Sequence, residues 1–253
     1  MIKQGSPILL SKRLKAIADM IPEGQRLADV GCDHGFLSIY LVQTGKIPGA
    51  LAMDVRKGPL AAAALHVKEA GLEKQIETRL SDGLAAFCAG EAQTLVCAGM
   101  GGPLMQRILT AYPDKTESFQ DFLLQPQSEI REFRSFLREN GYKIMEERIL
   151  LEDGKYYFPT WVRRGEAPAE GELTEVFDRY GETLIRKKDP LLRQYLIQQE
   201  KVLNAIEEKL REAADPNDRS KQRMAEVTFE KKMLLKALEL MEKSSESGAE
   251  CLP

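Results

Sequence analysis

The sequence of 253 residues has only four cysteines and two histidines, and its positive and negative charges nearly balance. The cysteines have no paired spacing, which argues against both a disulfide framework and a zinc site. Since His34 and His66 are the only histidines, no cysteine–histidine pattern indicates a metal. The formal net charge of -3 excludes a globally basic nucleic-acid binder, although a local basic patch acts through its own field.

Long hydrophobic runs are also missing. The apolar residues 8–10 meet Lys12 and Arg13 almost at once, so this run is too short for a secretory signal. No stretch approaches the ~20 consecutive apolar residues that cross a lipid bilayer. Together with the unpaired cysteines, these absences predict a cytoplasmic protein with reduced thiols and no membrane partner.

Short apolar segments alternate with helical patterns through the first half of the chain. Strands are predicted at 26–30, 50–54, 77–80, 94–98 and 122–124. Helices are predicted between them, at about 36–45, 59–70, 84–89 and after residue 102, and then at 128–140. Such alternation predicts an α/β fold with a parallel sheet and right-handed crossovers, which binds ligands at the carboxyl ends of its strands.

The pattern changes after residue 141. Two strand-like segments, 142–151 and 155–163, are joined through Asp153-Gly154, which is a strong hairpin signal. An antiparallel hairpin at this position is typical of a Rossmann-like class I methyltransferase sheet and not of an all-parallel dinucleotide fold. The sequence therefore predicts a mostly parallel sheet with an antiparallel hairpin at its end.

The last third of the chain has a helical pattern. Mostly apolar residues recur at helical spacing in two segments that are separated by a helix break at 215–218, which predicts an antiparallel coiled-coil hairpin. The first segment carries Leu192, Tyr195, Gln199, Val202, Ile206 and Leu210, and the second carries Val227, Leu234, Leu238 and Met241. We expect a sheet domain at 1–165, a polar linker, a helical domain at 171–243 and a flexible tail at 244–253.

The first candidate site is the loop that follows the first predicted strand. It contains Asp29, Gly31, Cys32, Asp33, His34 and Gly35. A dinucleotide fold requires Gly-x-Gly-x-x-Gly there, but this loop has Asp33 at the position of the second glycine. A carboxylate repels a pyrophosphate and attracts the ammonium group of S-adenosyl-L-methionine. The alternative is a tight strand–helix turn without a ligand, in which His34 serves only to position the loop.

Two further strand ends carry aspartates. Asp54 follows the second strand, where a carboxylate can accept both ribose hydroxyls of an adenosine. Asp82 and Gly83 follow the third strand, where a side chain can bond the adenine amino group. The alternatives are an exposed aspartate at a strand end and an ordinary Asp-Gly turn.

The fourth strand ends in a segment with three glycines in four residues, Gly99-Met100-Gly101-Gly102. Such a segment brings bare backbone to the cleft in which a methyl acceptor would lie. We assign Gly99 and Met100 to the cofactor side, and Gly101, Gly102 and Gln125 to the substrate side. The alternatives are a plain loop at 99–102 and a simple strand terminus at Gln125. Elsewhere in the chain, His66 is interpreted as a packing or surface residue.

Together these motifs resemble a known family. The segments 10–14, 29–35, 98–102 and 124–126 are similar to those of the bacterial tRNA (adenine-N1) methyltransferases that modify adenine 22 of tRNA. The resemblance covers almost the whole chain, including the helical hairpin. It implies S-adenosylmethionine as methyl donor, tRNA as substrate and a bacterial source, and it places the cofactor on Asp29, Gly31, Asp33, Gly35, Asp54 and Asp82. No general base can be matched, so the catalytic residue stays unassigned.

The chemistry of adenine N1 is compatible with the lack of a base. N1 has its own lone pair, so positioning and electrostatics suffice once the base is exposed, for example by flipping. Two other interpretations stay open at this point: a methyltransferase with another substrate, and a nucleotide- or RNA-binding protein without catalysis. A dehydrogenase is the least favoured, because the dinucleotide glycine spacing is absent.

Overall fold

A computed structural model describes residues 8–166, 170–212 and 218–243. The chain folds as two compact units, Met1–Ala169 and Glu170–Pro253. The predicted tail at 244–253 lies outside the described residues, as do residues 167–169 of the predicted linker and 215–217 of the predicted helix break. The described strands all lie in the first unit, and the described part of the second unit is helical.

Nine strands are described. They are β1 (Leu27–Val30), β2 (Ala50–Asp54), β3 (Ile76–Leu80), β4 (Thr94–Met100), β5 (Asp121–Pro126), β6 (Tyr142–Glu147), β7 (Leu150–Glu152), β8 (Lys155–Tyr157) and β9 (Thr160–Arg164).

Ten helices are described. Those of the first unit are α1 (Lys12–Met20), α2 (Phe36–Gln43), α3 (Lys57–Glu69), α4 (Gly102–Ala111), α5 (Pro113–Thr116) and α6 (Ile130–Glu139). Those of the second unit are α7 (Thr174–Tyr180), α8 (Glu182–Arg186), α9 (Pro190–Glu212) and α10 (Asp218–Glu242).

Seven strands form one sheet in the order β3-β2-β1-β4-β5-β9-β6. The first five in this order are parallel, and β9 is antiparallel to both of its neighbours. The chain progresses outward in one direction from β1 to β3 and then restarts on the other side with β4. In such a sheet a ligand crevice forms at the carboxyl ends of the two central strands, here β1 and β4.

Both faces of the sheet are covered, because its central strands are apolar on both sides. In β2, Leu51 and Met53 belong to one buried cluster, whereas Ala50 and Ala52 belong to the other. The first cluster includes residues of α4 and α6, and the second includes residues of α1, α2 and α3. This burial fixes the strand ends, and with them the loops that form the site.

The predicted terminal hairpin is confirmed, but it is divided into two parts. β6 and β9 pair within the main sheet, whereas β7 and β8 form a separate two-stranded ribbon at the tip. The pairing of β6 with β9 shifts register between Ile144 and Glu146, and the long strand that the sequence suggested is interrupted at residues 148–149, between β6 and β7. Asp153 and Gly154 both have positive φ, as a two-residue hairpin turn of this kind requires.

The predicted helix at 84–89 is wrong, because this segment forms turns. The Ser81 hydroxyl accepts a hydrogen bond from the backbone N–H of Ala86 at 3.0 Å and donates one to the carbonyl of Gly83 at 2.8 Å. Arg79 donates to the carbonyl of Ala86 at 2.8 Å. Side chains thus occupy the backbone groups that a helix would pair internally.

In the second unit, α9 and α10 run antiparallel. Arg193 near the start of α9 pairs with Glu242 at the end of α10, with 3.1 Å between nitrogen and oxygen, and Glu207 further along α9 pairs with Lys231. The predicted apolar stripe of α9 needs one correction: Val202 is exposed and the adjacent Leu203 is buried. Both are apolar, so their spacing alone does not show which one faces α10. Within the described ranges, no helix combines the length and apolar character needed to cross a membrane.

Candidate functional site

The loop between β1 and α2 turns sharply under the carboxyl edge of the sheet. Gly31, Asp33 and Gly35 all have positive φ, at 76°, 51° and 73°. The N–H groups of Gly31 and Cys32 both donate to the carbonyl of Met53 on β2, each at 2.9 Å. These bonds hold the loop against β2, and Gly35 then caps the start of α2.

A cleft of about 250 Å³ opens above this loop. Its lining combines polar groups from the loop with residues from α1 and from the ends of β4 and β5. The lining residues that the sequence predicted are Asp29, Gly31, Cys32, Asp33, His34 and Gly99. Burial raises the pKa of the Cys32 thiol, so this side chain is a neutral part of the wall.

Asp29 is the most perturbed acid of the cleft. Its side chain is buried and accepts a hydrogen bond from the Ser38 hydroxyl at 2.8 Å. Burial raises the pKa of Asp29 to about 6, and the nearby charge of Asp54 adds to the shift. Among the described residues no basic side chain pairs with Asp29, so a cationic ligand in the cleft would relieve the cost of burying this charge.

Asp54 lies at the end of β2, where Val55 and Arg56 line two different cavities. Its carboxylate is buried, accepts the N–H of Arg56 at 2.8 Å and lies 3.7 Å from the Arg56 side chain. Arg56 lines the cleft described above, and Val55 lines a second cavity of about 400 Å³. Asp54 itself lines neither cavity, and its place next to both is inferred from Val55 and Arg56.

The second cavity is bounded by the ends of β2 and β3. Val55 and Leu80 line it with Ser81 and Asp82, and both apolar side chains are unusually exposed, at 59% and 45%. Asp82 pairs with Arg107 at 3.3 Å. Gly83 lines neither cavity; a Cβ on it would lie 3.1 Å from Ile108, which is a packing reason for the glycine.

Gly101 and Gly102, which follow β4, pack closely against Ser128. A Cβ on Gly102 would lie 2.8 Å from the carbonyl oxygen of Ser128, and one on Gly101 would lie 3.0 Å from the Ser128 hydroxyl. Gly102 is buried and starts α4. Met100 packs toward the first loop, since its Cε lies 2.9 Å from the position of a Cβ on Gly31. Of this segment only Gly99 lines the cleft.

Gln125 is fully buried, and both ends of its amide are engaged within the protein. Its oxygen accepts from an Arg13 guanidinium N–H at 3.1 Å, and its nitrogen donates to the carbonyl of Pro126 at 3.1 Å. Gln125 does not line the cleft. Its visible effect is to hold Arg13, a residue of α1 that does line it.

The lining residues that sequence reasoning did not assign include four with polar or aromatic side chains: Arg13, Phe36, Arg56 and Gln127. Phe36 packs against both histidine rings, 5.5 Å from His34 and 4.9 Å from His66, and the two histidine rings are themselves 5.7 Å apart. His66 is bonded to the His34 carbonyl at 3.0 Å, so it supports the loop from α3. The presence of Arg13 in a motif of the N-terminal helix was the one available signal.

The cleft offers charges of both signs at separate places. Asp29 at the end of β1 and Asp33 in the first loop lie on one side, with Arg56 near Asp54. The Arg13 guanidinium lies at the ends of β4 and β5, 3.5 Å from the Cβ position of Gly99. A zwitterionic amino-acid group fits such an arrangement. In the part of the chain that the structure describes, no group of three or more His, Cys, Asp or Glu is arranged to hold a metal ion.

Comparison with protein families matches residues 10–158 to the family described as "Methyltransferase domain". The match covers the sheet unit from α1 through β8 and includes both cavities.

Among curated proteins, the chain is 33% identical over 232 residues to the tRNA (adenine(22)-N(1))-methyltransferase of Bacillus subtilis, with 91% of this chain and 97% of that protein covered. Among solved structures it is similar to a putative tRNA (m1A22) methyltransferase of Streptococcus pneumoniae in complex with S-adenosyl-L-methionine. The identity is 30%, the TM-score is 0.79, and 91% and 100% of the two chains are covered. A Mycoplasma capricolum relative in complex with S-adenosyl-homocysteine has 25% identity and a TM-score of 0.79, with 92% and 99% covered.

Proposed function

Because this chain belongs to the family of the tRNA (adenine(22)-N(1))-methyltransferases, we propose that it methylates N1 of adenine 22 in tRNA with S-adenosylmethionine as donor. The observation that carries the proposal is the buried carboxylate of Asp29 near the end of β1, next to the glycine-rich loop at the sheet's switch point. Among the described residues, no basic side chain pairs with it. The relatives bound to S-adenosyl-L-methionine and S-adenosyl-homocysteine support the choice of donor.

The polarity of the cleft fits the amino-acid end of this donor. In the proposal, Asp29 and Asp33 attract its ammonium group, and Arg13 binds its carboxylate through the guanidinium N–H groups that Gln125 leaves free. Gly99 leaves room for the ligand because it carries no side chain, and Gly31 leaves room for Met100, which packs against the loop. Cys32 and His34 contribute as walls of the same cleft.

The adenosine end is assigned to the neighbouring cavity. Asp54 accepts the ribose hydroxyls from its position between the two cavities, and Val55 and Leu80 provide the exposed apolar surface on which an adenine ring can pack. Asp82 lies in the same cavity and supplies an acceptor for the adenine amino group.

When bound, S-adenosylmethionine supplies an electrophilic methyl group. The residues on the other side of the cleft, at the ends of β4 and β5, orient the acceptor base so that its N1 lone pair faces that methyl. Gly99 and Gln127 line this side together with Ala98 and provide no carboxylate or imidazole. This side of the cleft is compatible with methyl transfer by positioning and electrostatics, in which N1 attacks with its own lone pair and the catalytic residue stays unassigned.

We assign a share of the tRNA contacts to the helical unit, Glu170–Pro253. A folded tRNA must expose the target base before its N1 can reach a methyl group, and a large polyanion needs contacts beyond the cleft. A substrate of this kind places the enzyme in the cytoplasm.

The test is a methylation assay on unmodified bacterial tRNA with labelled S-adenosylmethionine, followed by nucleoside mapping. We expect one labelled product, 1-methyladenosine at position 22, and no label in tRNA that carries guanosine there. Label in another nucleotide, or labelling only of a protein or small molecule, would contradict the proposal.

A further inference from the structure

Gln127 is the first residue after β5, and its backbone is fixed at the edge of the cleft. Its N–H donates to the carbonyl of Met100 at 3.0 Å, which joins the ends of β4 and β5. The side chain is exposed and lines the cleft beside Gly99. Its Nε2 lies 3.7 Å from the position of a Cβ on Gly99, so the missing side chain of Gly99 leaves space next to the amide.

The Gln127 carboxamide differs from that of Gln125 two residues earlier. Gln125 is buried with both amide atoms bonded. No hydrogen bond joins the Gln127 carboxamide to any of the residues that the structure describes. It therefore presents one acceptor and two donors to the cleft, on a backbone that is already in place.

A carboxamide is suited to one edge of adenine in particular. The exocyclic N6 amino group donates and N7 accepts, so a glutamine amide can bind both at once. This edge does not include N1. A base held in this way keeps its N1 lone pair free to face the methyl donor, whereas guanine presents two acceptors on the same edge and is not matched in the same way.

We infer that Gln127 is the residue that selects adenine in the acceptor site. Its Oε1 accepts from the N6 amino group, and its Nε2 donates to N7. The inference rests on the proposed function and deepens it by naming the group that recognises the base.

The same contact assists the methyl transfer. As the bond from the methyl carbon to N1 forms and the carbon–sulfur bond breaks, the base gains a positive charge that is shared with its amino group. The Gln127 oxygen faces that amino group, so its hydrogen bond strengthens as the charge develops. Loss of the amide is therefore expected to lower kcat as well as raise KM.

The experiment measures kcat/KM of the full chain with two tRNAs, one with adenosine and one with 7-deazaadenosine at the target position. 7-Deazaadenosine keeps N1 and N6 but lacks the N7 acceptor. For the wild type we expect kcat/KM to be about five- to tenfold lower with 7-deazaadenosine, as one hydrogen bond predicts. Gln127→Leu is expected to lose about 30- to 100-fold with adenosine and to show no further loss with 7-deazaadenosine.

Gln127→Glu provides a second test with nearly the same shape. It keeps an acceptor for the amino group and loses the donor to N7, so its 7-deazaadenosine penalty is expected to vanish while part of the rate remains. Gln120→Leu is the matched control: Gln120 is exposed and precedes β5 at the opposite end of the strand. It is expected to behave as the wild type with both tRNAs.

Donor binding separates failure of the inference from failure of the proposed function. Calorimetry is expected to give the same S-adenosylmethionine affinity for the wild type and Gln127→Leu. If the wild type methylates adenosine 22, two results would overturn the role of Gln127 alone. One is an equal kcat/KM for Gln127→Leu, and the other is a 7-deazaadenosine penalty that is undiminished in this variant. A wild type that binds no donor or methylates no tRNA would overturn the proposed function, and the inference with it.

Discussion

The two halves of the sheet's carboxyl edge carry different chemistry. The ends of β1, β2 and β3 carry four aspartates, whereas the ends of β4 and β5 carry glycines and amides. The four aspartates are Asp29, Asp33, Asp54 and Asp82. In our account a charged donor is recognised by charge on one half, and a neutral base is recognised by space and hydrogen bonds on the other.

The difference has an energetic consequence. The donor half buries the carboxylate of Asp29, and this burial disfavours its ionisation by raising its pKa to about 6. The acceptor half has no comparable cost, because Gln125 is buried with its polar atoms satisfied. We therefore expect mutations of buried carboxylates in the donor half to raise stability and weaken donor binding. Mutations in the acceptor half are expected to change binding of the base.

The largest effect is expected from removal of residues 170–253, the helical unit, which leaves both halves of the sheet edge in place. The cofactor residues named above all precede residue 165, so donor affinity should stay close to that of the full chain. Methylation of tRNA should fall by about a hundredfold or more, which corresponds to the loss of two or more charge-assisted contacts. Calorimetry measures the donor affinity, and a gel shift at fixed salt measures the tRNA affinity. Full-rate methylation by the truncated chain would contradict a substrate-binding role for the helices, and failure to fold would contradict the predicted boundary.

The next effect concerns Asp54. Replacement by alanine removes a buried acceptor for two ribose hydroxyls, and charge-assisted hydrogen bonds contribute roughly 1.5–3 kcal/mol each at most. We expect donor affinity to fall about 10- to 100-fold and tRNA affinity to stay unchanged. Asp114→Ala, which removes an exposed aspartate of α5, is the control. An unchanged donor affinity in Asp54→Ala would exclude the ribose assignment.

Asp29 provides a pH dependence with a defined sign. Its pKa is raised from 3.8 to about 6 by folding, so its stabilising contribution is present at low pH and is lost as pH rises through about 4 to 6. At pH 7.5 the apo Asp29→Asn variant should therefore melt a few degrees higher than the wild type, while it binds the donor about tenfold more weakly.

In the wild type, donor affinity should decrease as pH is lowered through about 6, because protonation removes the charge that attracts the ammonium group. The Asn variant should lack this step. Thermal melting and calorimetry between pH 5 and pH 8 check both expectations. A variant that is less stable than the wild type but binds the donor equally tightly would show that Asp29 has only a structural role.

The smallest effect is expected at Asp33. It is an exposed aspartate with a φ of 51°, a conformation that glycine adopts at lower cost. Asp33→Gly should leave the melting temperature unchanged or slightly higher and weaken donor binding two- to fivefold, since exposed charge pairs contribute less than about 1 kcal/mol. Equal or tighter donor binding by Asp33→Gly would mean that Asp33 does not contribute to donor binding.

The turn geometry and the positions of the aspartates in the donor half were largely predictable from the sequence, because their signals are local. An apolar strand followed by Asp29–Gly35, and a second strand that ends in Asp54, specify turn and charge within a few residues. The fold class followed from the alternation of strands and helices together with the terminal hairpin, and the structure confirms it. The predicted helix at 84–89 failed because Ser81 and Arg79 bond the backbone there.

The acceptor half was less predictable, because its geometry depends on distant segments. The predicted fifth strand ended at residue 124, which placed Gln125 in the cleft. In the structure β5 continues to Pro126, so Gln125 is buried within the strand and Gln127 is the residue that reaches the cleft. Arg13 reaches the same place from α1, more than a hundred residues away in sequence, and no local pattern shows that contact.

The most direct test of the account is a crystal structure of the full-length protein with S-adenosyl-homocysteine. We expect the ribose hydroxyls within hydrogen-bond distance of Asp54, the adenine in the cavity of Val55 and Leu80, and the amino-acid group between Asp29 and Arg13. The space beside Gly99 and Gln127 should stay open for a base. A ligand whose adenine lies against Gln127, or whose amino-acid group lies away from Asp29, would contradict the division of the sheet edge into a donor half and an acceptor half.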